Sequence, residues 1–131
     1  MSSRRLEMSS VAANVEKQAE FIEGVTYMSS GGGDGWQLFT TERTISMFTH
    51  SMGTVSVEGV VNGETEEMGE CQAADTFEGA EVLSVKKRQQ GKRIVLVIET
   101  NRGTMILRTH IDTPPSWSIE IGDLEERGDF W

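Results

Sequence analysis

Residues 77–123, FEGAEVLSVKKRQQGKRIVLVIETNRGTMILRTHIDTPPSWSIEIGD, decide the fold. Within them, residues 92–99 (KRIVLVIE) form an almost unbroken β-branched run bounded by turn signals, the pattern of a strand buried on both faces. Residues 80–87 (AEVLSVKK) precede it, and the Gln89-Gln90-Gly91 link supplies a glycine where a short hairpin needs positive φ. Asn101-Arg102-Gly103 repeats the device, because Asn starts turns and Gly reaches backbone angles closed to other residues. Two successive hairpins make a meander. Residues 104–110 (TMILRTH) continue it, Pro114-Pro115 removes two backbone donors, and residues 116–121 (SWSIEI) alternate with Trp117, Ile119 and Ile121 on one face.

The first half echoes this plan. Residues 36–42 (WQLFTTE), a tight turn near Arg43, residues 44–50 (TISMFTH) and residues 54–61 (TVSVEGVV) repeat the order of strands. At a constant offset of sixty positions, Thr40, Thr44, Thr49 and His50 fall on Thr100, Thr104, Thr109 and His110. Ile45 and Met47 fall on Met105 and Leu107 in the same way, and an even offset preserves the inward or outward parity of every strand residue. The segment Phe21-Ile22-Glu23-Gly24-Val25 is matched to Phe77-Glu78-Gly79-Ala80. The expectation is a duplicated module, residues 21–64 and 77–123, set against the alternative of a plain antiparallel sheet.

Composition bounds the rest. At 131 residues, with 37% hydrophobic residues, fourteen glycines and two prolines, the chain suits one turn-rich β domain. It has no apolar run long enough to cross a bilayer and no hydrophobic segment of a signal peptide, so a cytoplasmic location is expected. Cys71 is the single cysteine, which leaves neither an internal disulfide nor a cysteine pair for zinc. A formal charge of −9 argues against a nucleic-acid partner, since phosphate binding draws on clustered Lys and Arg. The cations are concentrated in Lys86-Lys87-Arg88 and Lys92-Arg93, read as keeping an exposed hairpin soluble and unpaired. The acidic residues gather elsewhere, in Glu64, Glu66, Glu67 and Glu70 and again in Glu120, Asp123, Glu125, Glu126 and Asp129.

Along the chain, residues 1–8 carry little pattern and are expected to be disordered. Ser9 or Ser10 is positioned to cap a helix running to about residue 22, with Val11, Val15 and Ile22 on one face and Gly24 ending it. Residues 25–28 (VTYM) read as a strand, and the glycine-rich stretch 29–35 lacks the lysine and hydroxyl of a phosphate-binding loop. Residues 62–76 read as a linker with a turn at Asn62-Gly63 and a helical turn at Glu66–Met68 ending at Gly69. Residues 124–131 form an acidic tail ending in Asp129-Phe130-Trp131, whose two aromatics are expected to dock on this chain or on a neighbour.

Candidate chemistry is sparse. No catalytic or cofactor-binding residues and no cofactor are assigned, because no Ser lies in G-x-S-x-G and Cys71 has no nearby His. His50 and His110 are weak candidates for a metal, with Glu58, Asp112 or Glu120 as a third ligand, but they lack the paired spacing of a metal motif.

One resemblance adds a setting. The passage Phe39-Thr40-Thr41…Thr49-His50…Val55-Ser56-Val57-Glu58-Gly59-Val60-Val61-Asn62-Gly63-Glu64…Met68-Gly69, followed by Glu99-Thr100-Asn101-Arg102-Gly103-Thr104, resembles a family of small uncharacterised β-rich proteins from phages and bacteria. It covers roughly residues 36–110. In that family a His is followed by a cysteine pair; here Ser51-Met52-Gly53 supplies none. The resemblance implies a phage or bacterial source and an accessory role, and no activity.

Together these readings give a mainly β fold, with α+β as its variant: about eight strands in antiparallel meanders closing into a sandwich or half-open barrel, with one short N-terminal helix, over a single domain of residues 9–131. The expected function is non-enzymatic protein binding as a homo-oligomer, without nucleic acid or membrane, through Glu64, Glu66, Glu67, Glu70, Asp129, Phe130 and Trp131. The alternatives are a metal-assisted hydrolase using His50 and His110, and a small-ligand carrier with Trp36, Phe39 and Trp117 lining a pocket between sheets.

Overall fold

The computed structural model describes residues 19–30, 33–50, 54–91, 93–110 and 116–129. They form ten strands and one helix: β1 Ile22–Ser30, β2 Gly33–Thr40, β3 Thr44–His50, β4 Thr54–Val61, β5 Glu64–Met68, α1 Glu70–Phe77, β6 Val82–Gln90, β7 Arg93–Thr100, β8 Gly103–His110, β9 Ser116–Ile121 and β10 Leu124–Asp129. Two five-stranded sheets result, sheet one in the order β1-β2-β3-β9-β10 and sheet two in the order β5-β4-β8-β7-β6, with every neighbouring pair antiparallel. The mainly β, sandwich-like reading holds, and because each sheet keeps two edges it is not a closed barrel.

The order of strands contains an internal two-fold. Replacing β1 to β5 by β6 to β10, and the reverse, turns the order of sheet one into that of sheet two. Each half builds three strands of one sheet and sends its last two strands to the other, so β4 pairs with β8 and β9 pairs with β3. The offset of sixty carries through in detail. The first hairpin of each half has a register shift at the same place, between Ile22 and Gly24 and between Val82 and Ser84. Thr40 Oγ1 donates to the Arg43 carbonyl at 2.9 Å, and Thr100 Oγ1 donates to the equivalent Gly103 carbonyl at 2.7 Å. On the axis itself Phe21 bridges Glu81, flanked by reciprocal bonds from the Ile22 N–H to the Ala80 carbonyl and from the Val82 N–H to the Glu20 carbonyl.

The core lies between the sheets. Period-two alternation turns Leu38, Ile45, Met47 and Ile119 inward from sheet one, and Val57, Leu96, Ile98, Met105 and Leu107 inward from sheet two, each nearly or fully removed from solvent. Val95, which the unbroken run KRIVLVIE places on the opposite face of β7, is also buried, as expected of a strand covered on both sides. The Asn62-Gly63 turn joins β4 to β5 with both residues at positive φ, 55° and 81°, the geometry a two-residue hairpin requires.

Four expectations need correction. Residues 62–76 are not a linker: Glu64–Met68 pairs with β4 as a strand, and Gly69 begins rather than ends a helix, the Ala73 N–H donating to its carbonyl. The strand escaped notice because both faces of Glu64-Thr65-Glu66-Glu67 are exposed, leaving no alternation to read. The helix expected to run to residue 22 does not reach it, since Phe21 is bridged to Glu81 and Ile22 opens β1; the rest of that helix, and residues 1–8, lie outside the described residues. Phe21 corresponds to Glu81 and not to Phe77, which is buried in α1. Finally, Leu124–Asp129 is no tail but the edge strand β10, while Phe130 and Trp131 lie outside the described residues.

The start of β4 is held to sheet one by side chains. Trp36 Nε1 donates to the Val55 carbonyl at 2.9 Å, and the Val55 N–H donates to Asp34 Oδ1 at 2.9 Å. Because β5 ends opposite Val57, two residues further on, these contacts from β2 satisfy main-chain groups that no β5 partner reaches. Trp36→Phe keeps the ring's bulk but strands a buried carbonyl. It is expected to lower unfolding free energy by roughly 1–3 kcal/mol, read as a shifted denaturation midpoint with an unchanged slope.

Candidate protein interface

Sheet two carries opposite charge on its two edges. At one edge, β5 exposes Glu64, Thr65, Glu66 and Glu67. At the other, β6 exposes Lys86, Lys87 and Arg88, followed by Gln89 and Gln90. Strand parity divides these residues between faces. Pairing of Val57 with Met68 and of Gly59 with Glu66 turns Glu64, Glu66 and Met68 toward the interior side, leaving Thr65 and Glu67 on the outer side. On β6, Lys86 opposite Val97 and Arg88 opposite Val95 are outer residues, whereas Lys87, opposite Leu96, turns inward and sets its ammonium 5.3 Å from the centre of the Trp117 ring. Between the edges the outer face holds the ion pair Arg108 Nη1 to Glu58 Oε1 at 2.9 Å.

The acidic edge overhangs a cleft. Glu64, Glu66 and Met68 of β5, Gly59 and Val61 of β4, and Gln72 and Thr76 of α1 line a space of about 410 Å³. The floor depends on Gly59, where a Cβ would run into the Met68 methyl and thioether. Beside it, Trp36, Thr54, Val55, Ser56, Val57, Glu67 and Met68 line a second cleft of about 430 Å³. Ser56 Oγ is buried with no hydrogen-bond partner among the described residues.

Helix α1 covers the edge of sheet one nearest to β5. Its Ala73 and Phe77 are buried, and its first residue, Glu70, accepts a hydrogen bond from the Tyr27 N–H of β1 at 3.0 Å. Glu70 is therefore engaged with the chain itself. Cys71, next to it, is an exposed free thiol.

The structure separates the residues that the sequence suggested for partner binding. Glu64, Glu66, Glu67 and Glu70 share one end of the molecule, β5 and the start of α1. Asp129 closes β10, the edge of sheet one opposite to the β1 edge that α1 covers. His50 pairs with Ser116 in sheet one and His110 pairs with Thr54 in sheet two, at related strand ends where the chain crosses between sheets. The proposed carrier lining is not assembled: Trp36 and Trp117 are buried in the core, while Phe39 has the opposite parity and is 41% exposed on the outer face of sheet one. There it leans over Gly24, as Phe48 lies over Gly35, each phenyl covering backbone that a glycine leaves bare on the neighbouring strand.

Sequence reasoning missed the Tyr27 and Asp34 pair. Tyr27 Oη donates to Asp34 Oδ2 at 2.5 Å, and its ring packs 5.2 Å from Trp36 at an angle of 57°. Parity offers a signal in retrospect, since Tyr27 and Trp36 are directly opposed across β1 and β2. No known protein family matches the chain, and neither a curated protein nor a solved structure matches it. No helix among the described residues is long and apolar enough to cross a membrane.

The hydrogen bond to the Asp34 carboxylate holds the Tyr27 phenol above its usual value of 10.0, with burial and the carboxylate's charge adding in the same direction. A raised pKa favours the folded state below the unfolded value and loses that contribution as pH rises through the folded one. Tyr27 is the single tyrosine, so phenolate absorbance reports it alone. The titration midpoint is expected above 10.0 in the native protein and lower in Asp34→Asn, with stability falling at alkaline pH.

Proposed function

We propose that this chain is a non-enzymatic protein-binding module that works as a homo-oligomer in an accessory role. The observation that carries the reading is the placement of an acidic strand and a basic strand at opposite edges of one sheet. Edge strands carry main-chain donors and acceptors that no neighbour of their own sheet takes, and they are a recurrent route of protein recognition. Charge on such a strand selects the partner, because opposite charges across a strand pair are favourable and like charges are not. The acidic cleft between β5 and α1 adds depth beside one of these edges, suiting a basic protein segment. A phage or bacterial setting rests on the sequence resemblance of residues 36–110.

Native mass spectrometry of the chain, purified gently without chelator, tests this. Additional copies of the chain or a second protein in the same spectrum are expected. A monomer carrying one metal ion or a small-molecule mass would overturn the proposal and direct attention to His50 and His110. Replacing Glu66 and Glu67 together by glutamine is expected to weaken the retained contact roughly fivefold, two cross-strand charge pairs at about 0.5 kcal/mol each. Titration of the complex by light scattering measures that loss.

A further inference from the structure

We infer that the two charged edges of sheet two recognise each other between copies, so that β5 of one chain adds to β6 of the next and the sheet continues from molecule to molecule. This rests on the protein-binding reading and names its partner as a second copy of this chain.

The argument begins with which edges are compatible. Two β5 edges would bring Glu64, Glu66 and Glu67 against the same residues, and two β6 edges would oppose Lys86 and Arg88 to themselves. Both symmetric dimers are disfavoured by like charge, whereas β5 against β6 is favoured. The lysines and arginine that block a like edge therefore admit one specific unlike edge.

Topology then fixes the direction. All neighbours in sheet two are antiparallel and it has five strands, so its first and last strands, β5 and β6, run the same way. A second copy that keeps its core side on the same side of the continued sheet must present β6 parallel to β5. In that arrangement, setting Arg88 beside Glu67 on the outer face sets Lys86 beside Thr65 on the same face. The inward side chains match as well, with Glu66 level with Lys87, which keeps its place over Trp117. The five residues of β5 are met along their whole length by the nine of β6.

Such a contact is heterologous: the surface given differs from the surface received. Repetition makes a ring when the rotation between copies closes and a filament when it does not. Sheet one has no comparable pair of edges, because β1 carries no Lys or Arg and its Tyr27 N–H is taken by Glu70 of α1.

Charge reversal separates this from other modes of assembly. Sizes are read by native mass spectrometry and light scattering, with circular dichroism confirming that each variant keeps the wild-type β spectrum. Wild type is expected to be oligomeric. Lys87→Glu/Arg88→Glu has two acidic edges, Glu66→Lys/Glu67→Lys has two basic ones, and each alone is expected to be monomeric. Mixing the two variants is expected to restore assembly in alternation, and combining all four substitutions in one chain is expected to restore self-assembly. Oligomers that survive either single-edge reversal, or variants that stay apart when mixed, overturn the edge contact. A wild-type monomer that retains a different protein overturns it too while leaving the protein-binding reading standing. A wild-type monomer that retains nothing overturns both.

Discussion

The structure depends on an exchange of strands about its internal two-fold. Each half of the chain ends its own three-stranded meander with a bare edge, β3 or β8, and the other half fills it with β9 or β4. Unpaired main-chain groups at those central positions would be costly, so neither sheet is complete until both halves are present. Burial and hydrogen bonding are thereby satisfied by the same event. The reciprocal bonds around Phe21 and Glu81 tie the opening strands of the two halves at the axis, and Trp36 and Asp34 tie the crossing strand β4 to sheet one.

From this exchange follows the position of the charges. Sending the last hairpin of the first half to sheet two makes β5 an edge, and building the second half outward from β8 makes β6 the other edge of that same sheet. The acidic and basic segments lie some twenty residues apart in the chain yet end up separated by three intervening strands. The two-fold relates β5 to β10 and β6 to β1 in backbone but not in charge, since β1 lacks the cations of β6. The symmetric scaffold is chemically polar, which an assembling module can use to distinguish its two sides.

Much of this was legible in the residues. KRIVLVIE as a central strand, the turns at Asn62-Gly63 and Gly91, and the repeat that maps β2 to β4 onto β7 to β9 all follow from local rules of pleat, turn and parity. Other parts were hidden for stated physical reasons. Glu64–Met68 has no apolar alternation because its strand is exposed on both sides, and α1 is short with a small apolar face, Ala73 and Phe77. Glu70, grouped by charge with its neighbours, serves instead to satisfy Tyr27 of β1. Asp129, read as part of a docking tail with Phe130 and Trp131, stands instead in the edge strand β10 of the other sheet.

The amino-acid sequence by itself determined eight of the ten strands, their faces and most of their turns, because side-chain alternation and glycine geometry act over a few residues. It also set the charge of each segment. Only the tertiary structure decided which strands became neighbours, since pairing joins residues far apart in the chain and the choice between keeping and exchanging the last two strands depends on which edges can be covered. That choice placed Glu64–Met68 and Val82–Gln90 at the two ends of one sheet, where their charges acquire direction.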